Sequence, residues 1–417
     1  RARRMLLGLA SLAAALAPAP MTSRAGLTHA EIRRYSRHLI LDDVGVQGQE
    51  RLKASRVLCI GSGGLGSPAL IYLAAAGVGT LGVVDNDTVD ESNLHRQVIH
   101  ASEAVGTPKV ESAGERVKEI NPHVHFVAHN VHLDSSNALE ILGQYDVVID
   151  GSDNFPTRYL VNDACVILGL PLVYGAVQKF EGQISLFNLP LPDGSRGPNY
   201  RDLFPEPPPP GSVPSCAEGG VLGVLPGVIG TMQATEAVKV ILGVGERKPR
   251  DTLSGRLILY NAMSFRFHEV ALKPRPNAPK IESLIDYTGF CGQAAAEEAA
   301  AIARAAERFV RITPTDAYRK METEEWEPFV LDVRTKREAE VVSLPFANLQ
   351  HPHRQVAAIV DHLPAEGDIL VHCKAGIRSV AACNSLIELG IAPERLFSLE
   401  GGIIAWAKDV DTTLPTY

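Results

Sequence analysis

The stretch RVLCIGSGGLGSPALIYLAAAG at residues 56–77 decides the fold of the first part of the chain. RVLCI predicts a buried strand, GSGGLGS a glycine-rich turn and PALIYLAAAG a helix. Gly61, Gly63 and Gly66 form a GxGxxG motif, and Gly64 adds a further glycine to the turn. Such a turn lets a phosphate approach the backbone, and the helix N-terminus favours its negative charge. Alone, the motif predicts a nucleotide-binding site but does not indicate which nucleotide binds.

Outside this stretch, predicted strands and helices alternate. TLGVVD, HVHFVAH and YDVVIDG are strand-like, and helical patterns fall at about residues 108–120 and before Gly143. The alternation predicts a mainly parallel sheet covered on both faces, as in a doubly wound, Rossmann-like α/β domain. Beyond it, PLVYGAV and GQISLF are strand-like, residues 190–214 form a proline-rich connection, and residues 220–243 form an apolar helical stretch.

A second domain follows an alanine-rich segment. Residues 292–311 combine helix-forming residues with few large apolar side chains, so we predict a helical or flexible linker. After it, FVLDVR, ILVHC and RLFSLEGG predict three short strands separated by helical segments. We therefore expect one domain at residues 29–291 and a smaller α/β domain at residues 312–417.

The composition excludes several classes of protein. A chain of 417 residues with 45% hydrophobic residues can bury more than one core. Its net charge of -8 argues against a nucleic-acid partner, since a general nucleic-acid binder needs a basic surface. The six cysteines are scattered without a CxxC pair, which favours a reducing, cytoplasmic location.

The N-terminal residues are interpreted separately. RARR followed by MLLGLASLAAALAPAP has the basic and apolar regions of a secretory signal, but Met21 directly precedes the first patterned segment. We therefore predict that residues 1–28 are an extension, disordered or translated from a wrong start. No later stretch reaches the roughly 18 apolar residues of a membrane span, so no membrane partner is expected.

Polar residues that suit a nucleotide follow the second predicted strand. Asp85 ends this strand nineteen residues after Gly66, where an acidic side chain can hydrogen-bond a ribose hydroxyl. This pattern leaves a nicotinamide-dependent oxidoreductase open. The cations that come next suit a triphosphate better than a nicotinamide. The candidate nucleotide-binding residues here are Asp87, Asn93, Arg96, Gln97 and Lys109.

A third cluster follows the strand YDVVID. DGSDNFPTR places Asp153 and Asn154 at the carboxyl edge of the predicted sheet, where open sheets bind ligands. Asp153 can hold Mg²⁺. Each of these polar residues alone could be a solvated loop residue, but three clusters at successive strand ends favour a common site.

These motifs together resemble a known family. RYSRHLI, GSGGLGSP, VVDNDTVDESNLHRQ, GTPKVESA, INPHV and DGSDNFPTRYLVND are similar to the ATP-dependent activating enzymes of the MoeB/ThiF type, which are E1-like. The resemblance implies that Asp85 binds ribose, Arg96 and Lys109 hold the triphosphate, and Asp153 coordinates Mg²⁺. It also implies a homodimer in which Arg37 reaches the partner's nucleotide site.

The resemblance implies a reaction as well. A carboxylate at the C-terminal Gly-Gly of a small ubiquitin-like sulfur carrier attacks the α-phosphate of ATP, giving an acyl-adenylate and pyrophosphate. The pathway could be that of molybdopterin, cysteine, thiamin or a related sulfur compound. A scaffold that docks carrier proteins without catalysis is the other alternative.

One departure concerns zinc. Family members usually hold a structural zinc with two CxxC pairs, but the matching positions here are Asn199, Asp202, Asn277 and Lys280. Because no thiolate remains, no structural zinc is expected. We hypothesise that Asp202 and Lys280 form a salt bridge in its place, the alternative being that both are merely exposed.

The second domain carries a candidate nucleophile. Cys373 follows the strand ILVH and opens a tight loop whose amides can surround an anion, and cations nearby favour a thiolate. A buried structural cysteine or a phosphatase loop is the alternative, but Cys-x4-Arg is one residue short of the phosphatase spacing. The loop consists of Cys373, Lys374, Ala375, Gly376, Ile377, Arg378 and Ser379.

This domain resembles the rhodaneses, so Cys373 is expected to carry a persulfide. Its sulfur could come from thiosulfate or from a cysteine desulfurase. Asp332 and Arg334 are interpreted as structural, and Cys59 as a buried small hydrophobe. In related enzymes a cysteine at the position of Cys216 can form a covalent acyl-persulfide link with the activated carrier, so Cys216 is a further candidate. The chain thus resembles fused adenylyltransferases and sulfurtransferases.

Overall fold

The chain divides into two compact units that separate within residues 293–307. A computed structural model describes residues 26–208, 220–247, 249–292 and 308–416. Residues 1–25 of the predicted extension therefore lie outside the described residues.

The first unit is built on an eight-stranded sheet with the strand order β3-β2-β1-β4-β5-β6-β7-β8. The five strands β3, β2, β1, β4 and β5 pair in parallel with one another in this spatial order. The pairs β5–β6, β6–β7 and β7–β8 are antiparallel. The strands are β1 Arg56–Ile60, β2 Thr80–Val84, β3 His125–His129, β4 Val147–Asp150, β5 Leu172–Gln178, β6 Glu181–Phe187, β7 Arg256–Asn261 and β8 Arg266–Ala271.

Helices cover both faces of this sheet, which confirms the doubly wound α/β prediction. The sequence patterns did not indicate β7 and β8, which extend the antiparallel part of the sheet that begins with β6. The helices are α1 His29–Arg34, α2 Ser36–Leu39, α3 Gly45–Ala54, α4 Gly66–Ala76, α5 Lys109–Ile120, α6 Ala138–Leu142, α7 Phe155–Leu168, α8 Tyr200–Leu203, α9 Val224–Ile241, α10 Val244–Arg247 and α11 Tyr287–Phe290.

The glycine-rich turn joins β1 to α4 at very short range. Gly61 has a φ of +87°, which favours glycine. A Cβ added to Gly66 would lie 2.0 Å from the carbonyl oxygen of Gly61, so only glycine lets the helix begin this close to the strand. The helix N-terminus is therefore fixed against the carboxyl end of β1.

The fold begins before the predicted boundary at residue 29. Leu27 is 2% exposed, and Thr28 caps α1 in a capping box with Glu31. The last residues of the predicted extension therefore belong to the first unit.

Asp202 joins the two segments that carry the four positions Asn199, Asp202, Asn277 and Lys280. Its carboxylate accepts hydrogen bonds from the Asn199 backbone N–H at 2.8 Å and from the Arg275 backbone N–H at 2.7 Å. Lys280 is exposed, and no ion pair connects it to Asp202 among the described residues. The salt-bridge hypothesis is therefore wrong, because the capping bond at Asn199 and the Arg275 N–H engage the carboxylate.

A buried ion pair holds the end of the first unit. Asp163 is 1% exposed, and it accepts a bidentate pair of hydrogen bonds from Arg201 at 2.9 and 2.7 Å. It also accepts a 2.8 Å bond from the Tyr287 hydroxyl. One carboxylate on α7 thus fixes both α8 and α11.

The second unit contains a parallel five-stranded sheet with the order β11-β10-β12-β13-β9. The first strand in chain order begins inside the predicted linker of residues 292–311 and ends at Ile312, and Phe309 is part of the core of this unit. The strands are β9 Val310–Ile312, β10 Phe329–Asp332, β11 Leu349–Gln350, β12 Ile369–His372 and β13 Leu396–Leu399. The helices are α12 Pro314–Glu322, α13 Lys336–Val341, α14 Ile377–Glu388 and α15 Gly402–Asp409.

We predict that Asp202→Ala lowers the free energy of unfolding of the first unit by about 1–2 kcal/mol, because it removes a cap and a bond between segments. Lys280→Ala is the matched control and should leave stability nearly unchanged. Urea denaturation followed by hydrogen exchange in peptides of the first unit measures both. Equal losses in the two variants would revive the salt bridge.

Candidate active sites

A cavity of about 410 Å³ opens at the carboxyl edge of β1, β2 and β4. Most of the predicted nucleotide-binding residues line it together, although they lie far apart in the sequence. They are Gly61, Gly63, Gly64, Asp85, Asp87, Arg96, Gln97, Lys109, Asp153 and Asn154. The volume is in the range of small-molecule sites.

Three predicted residues do not line this cavity. Gly66 contributes indirectly, because its lack of a side chain allows α4 to begin close to the turn that lines the cavity. Asn93 accepts a 2.5 Å hydrogen bond from Arg96 and so orients that cation. Arg37 is exposed on α2, and its predicted role concerns a second copy of the chain.

Asp85 holds the glycine-rich turn as well as facing the cavity. One carboxylate oxygen accepts hydrogen bonds from the Ser62 backbone N–H at 2.9 Å and from the Ser62 hydroxyl at 3.0 Å. The other accepts the Asp87 N–H at 3.0 Å. Asp85 therefore couples the turn after β1 to the loop after β2.

His100 supports the same turn from beneath, and the sequence analysis did not single it out. Its ring nitrogens lie 3.1 Å from the Ser62 carbonyl oxygen and 3.0 Å from the Ser112 hydroxyl. Burial lowers the pKa of His100, which favours the neutral ring. His100 thus links the turn to α5, the helix that begins with Lys109.

The two predicted cations each have an oriented partner. The Lys109 ammonium lies 2.7 Å from an Asp87 carboxylate oxygen, and the Lys109 side chain is only 7% exposed. Arg96 is held by Asn93 and by the Ser92 carbonyl. Both cations are therefore positioned at the cavity before any ligand binds.

Asp153 and Asn154 lie together at the end of β4. Asn154 caps α7 by accepting the Thr157 N–H at 2.9 Å, and the Asp153 side chain is exposed towards the cavity. Behind them, buried Asp150 accepts the Ser152 N–H and hydroxyl at 2.9 and 2.6 Å. Burial raises the pKa of Asp150.

Arg158 also lines the cavity, although it was given no role in the sequence analysis. It donates to the Ser152 carbonyl at 3.2 Å, and its guanidinium lies 5.8 Å from the Tyr174 ring centroid. Its position in DGSDNFPTR, four residues and thus about one helical turn after Asn154, was the available signal.

The donor set fits ATP with Mg²⁺. Gln97 Oε1 is buried at the cavity and has no hydrogen-bond partner within the described ranges, so a polar ligand would satisfy it. Arg96 and Lys109 offer cations for phosphates. Asp153 offers the carboxylate oxygens that Mg²⁺ prefers.

Cys373 directly follows β12 in the second unit, and its side chain is almost fully buried. The Gly376 N–H donates to Sγ at 3.1 Å, and the Ser379 hydroxyl oxygen lies 3.7 Å from Sγ. Ser398 on β13 in turn donates to the Ser379 hydroxyl at 2.9 Å. The loop therefore presents an amide to the sulfur immediately before a helix begins, which suits an anionic sulfur.

The surroundings of Cys373 are less cationic than the sequence predicts. Both terminal nitrogens of Arg378 donate to the carboxylate of Glu338, at 2.9 and 2.6 Å. Burial alone would raise the pKa of Glu338, but hydrogen bonds from Arg378 and Thr335 lower it to about 2. The pair therefore stays ionised at neutral pH and is lost only as the pH falls from about 4.5 towards 2.

The structure also shows where the residues predicted to have structural roles lie. Arg334 is fully buried and donates to Asp332 through Nε and Nη2, which confirms a structural role for both residues. Cys59 is buried, and burial raises the pKa of its thiol. Cys216 lies outside the described residues. Within the part of the chain that the structure describes, no cluster of His, Cys, Asp or Glu could hold a metal ion.

Comparison with known proteins identifies the family of the chain. Residues 35–280 match the ThiF family. The "Probable adenylyltransferase/sulfurtransferase MoeZ" of Mycobacterium tuberculosis is 45% identical over 94% of this chain and 96% of its own length. The "Sulfur carrier protein adenylyltransferase" of Thermus thermophilus is 53% identical over 64% of this chain and 98% of its own length.

A more distant solved structure shares the fold. MccB of E. coli, solved with MccA-N7isoASN, superposes with a TM-score of 0.52 at 19% identity, covering 62% of this chain and 76% of that chain. The chain belongs to the ThiF family.

Within that family it is an adenylyltransferase and sulfurtransferase enzyme of the MoeZ type, as the sequence predicts. The relatives support neither a nicotinamide-dependent oxidoreductase nor a non-catalytic scaffold. Among the described residues, the structure contains no helix with the length and apolar character of a membrane span.

We predict that Asp85→Asn raises the Kd for ATP about tenfold or more, because an amide cannot accept the Ser62 hydrogen bonds with a full charge. Asp193→Asn, on an exposed turn in the same unit, is the control. Isothermal titration of ATP into each variant gives the comparison. Wild-type affinity in the Asp85 variant would contradict the assigned role.

Proposed function

We propose that this enzyme adenylates the C-terminal glycine of a ubiquitin-like sulfur carrier and then converts it to a thiocarboxylate. The observation that carries the proposal is the assembly of the glycine-rich turn, Arg96, Lys109 and Asp153 around one cavity. The relatives named for sulfur carrier adenylation and for sulfur transfer support the carrier as substrate.

We assign roles within the cavity from charge and position. Asp85 binds the ribose, Arg96 and Lys109 hold the triphosphate, and the turn from Gly61 to Gly66 presents amides at the start of α4. Asp153 holds Mg²⁺, which when bound supplies charge neutralisation for the phosphates. Arg158 fixes the loop that carries Asp153 through the Ser152 carbonyl.

The first step is a displacement at phosphorus. A carboxylate oxygen of the carrier forms a bond to the α-phosphorus of ATP, and the bond to the bridging oxygen breaks, so pyrophosphate leaves with the electron pair. Arg96 and Lys109 stabilise the negative charge on the phosphoryl oxygens. The product is the carrier acyl-adenylate.

The second step uses the persulfide of Cys373. Its terminal sulfur bonds to the acyl carbon, and AMP leaves with the electron pair of the C–O bond. The thiolate of a reductant then attacks Cys373 Sγ, so the S–S bond breaks and the thiocarboxylate departs. The disulfide left on Cys373 requires a further reductant thiol, consistent with the cytoplasmic location that we propose. Cys216 stays a candidate for a covalent acyl-persulfide link with the activated carrier.

An apolar patch beside the cavity suits the body of the carrier. Phe180, Met263, Phe265 and Phe267 lie around the β5–β6 and β7–β8 turns, at the same edge of the sheet as the cavity, and each is more than 40% exposed. An exposed cluster of this kind is typical of a protein-binding surface. We name it the aromatic hairpin patch and assign it to the carrier.

We further propose a homodimer in which Arg37 contributes to the partner's site, and an enzyme without structural zinc. The engagement of Asp202 with Asn199 and Arg275 supports the second point, since the carboxylate is already used. The sulfur donor is thiosulfate or a cysteine desulfurase.

The test is ATP–pyrophosphate exchange with purified Gly-Gly-ended carriers. We expect Asp153→Ala to abolish exchange and Cys373→Ala to leave it intact while abolishing thiocarboxylate formation. Cys383→Ala, another buried cysteine of the second unit, is the control for the thiol. Exchange that persists in the Asp153 variant would contradict the assigned cavity.

We predict that Phe265→Ser raises the KM for the carrier at least about tenfold in that assay, because loss of a large aromatic contact costs about 1–2 kcal/mol or more. The KM for ATP should not change. Phe397→Leu, in the other unit, is the control. An unchanged KM for the carrier would place its docking surface elsewhere.

A further inference from the structure

The ion pair between Glu338 and Arg378 affects the charge that the persulfide loop presents to a sulfur donor. Arg378 lies in the first turn of α14, next to Ser379, whose hydroxyl faces Cys373 Sγ. An arginine at this place would favour a small anionic sulfur donor such as thiosulfate. Here its guanidinium is directed at a carboxylate instead.

Glu338 is held firmly in this arrangement by its own helix. It occupies the third position of α13, and its carboxylate accepts the Thr335 N–H at 3.0 Å and the Thr335 hydroxyl at 2.8 Å. The side chains of Glu338 and Arg378 are only 22% and 28% exposed. The carboxylate is thus fixed by a capping box and by Arg378 together.

The rim of the loop carries a further cation, the half-buried Lys374, beside exposed aliphatic residues. Ile377 is 72% exposed in the loop, and Val341 is 56% exposed at the end of α13, the helix that the ion pair joins to the loop. With Arg378 paired to Glu338, the mouth offers a free dianion less positive charge than the loop sequence indicates.

We infer that Glu338 is a specificity-determining residue that disfavours thiosulfate as the sulfur donor by neutralising Arg378. The inference rests on the proposed role of Cys373 and deepens it, because it concerns which donor loads that cysteine. Under this inference, Glu338 discriminates against small anionic sulfur donors such as thiosulfate and in favour of persulfide donors that carry less negative charge.

Both loading reactions balance without a further redox partner. With thiosulfate, the Cys373 thiolate bonds to the outer sulfur, the S–S bond breaks and sulfite leaves with the electron pair. With a persulfide donor, the thiolate bonds to the terminal sulfur and the donor's thiolate leaves. Only the first reaction requires a dianion to approach Arg378.

The test compares donors in the full-length enzyme carrying Glu338→Gln. Glutamine preserves the capping box but removes the charge. Glu340→Gln, an exposed position on the same helix, is the matched control for charge. Thiocyanate formation with cyanide as acceptor is measured with thiosulfate and with cysteine persulfide as donors.

We expect the Glu338 variant to lower the KM for thiosulfate about threefold or more at moderate ionic strength, an advantage that added salt removes. The KM for cysteine persulfide should change less than about twofold. A second change, Arg378→Gln, should abolish the gain. Thermal unfolding of each variant shows whether the second unit remains folded.

Two results would overturn the inference. One is an unchanged or raised KM for thiosulfate in a folded Glu338 variant, and the other is an equal gain with both donors. Failure of the proposed function has a different signature, since the wild-type enzyme would then form no thiocyanate from either donor.

Discussion

The nucleotide cavity depends on one close backbone approach, between Gly61 and the first residue of α4. Because Gly66 has no side chain, the helix begins directly against the turn, and its N-terminus, the positive end of the helix dipole, lies at the carboxyl end of the sheet. Asp85 and His100 then fix Ser62 in the middle of that turn from two sides. A shift of this turn would misplace the surface on which the cations and Asp153 converge.

The second unit has a similar arrangement, a helix that begins just after a parallel strand, next to the sulfur of Cys373. A parallel strand ends at Cys373, a tight loop follows, and an amide points at the sulfur before α14 begins. In both units a helix start after a parallel strand provides a place for negative charge. In the proposed reaction, one chain carries both sites, and this linkage would raise the effective concentration of the persulfide near the adenylate.

The parts that could be predicted from the sequence are those with local signals. Buried strands, the glycine-rich turn and the cysteine loop each have a pattern within about a dozen residues. Strand β8 was missed because all its residues are exposed and offer no alternation. His100 and Glu338 act through partners that lie far away in the sequence, which no local pattern reveals. The pairing of Asp202 with Lys280 was wrong because a capping bond three residues away competes for the same carboxylate.

The most direct test of the central claim is the mass of the carrier after incubation with this enzyme, ATP, Mg²⁺, a sulfur donor and a thiol reductant. We predict a mass increase equal to the replacement of one oxygen by sulfur, dependent on ATP and on Cys373. A carrier that accumulates as the adenylate but never gains sulfur, with the persulfide present on Cys373, would contradict the claim that one chain performs both reactions.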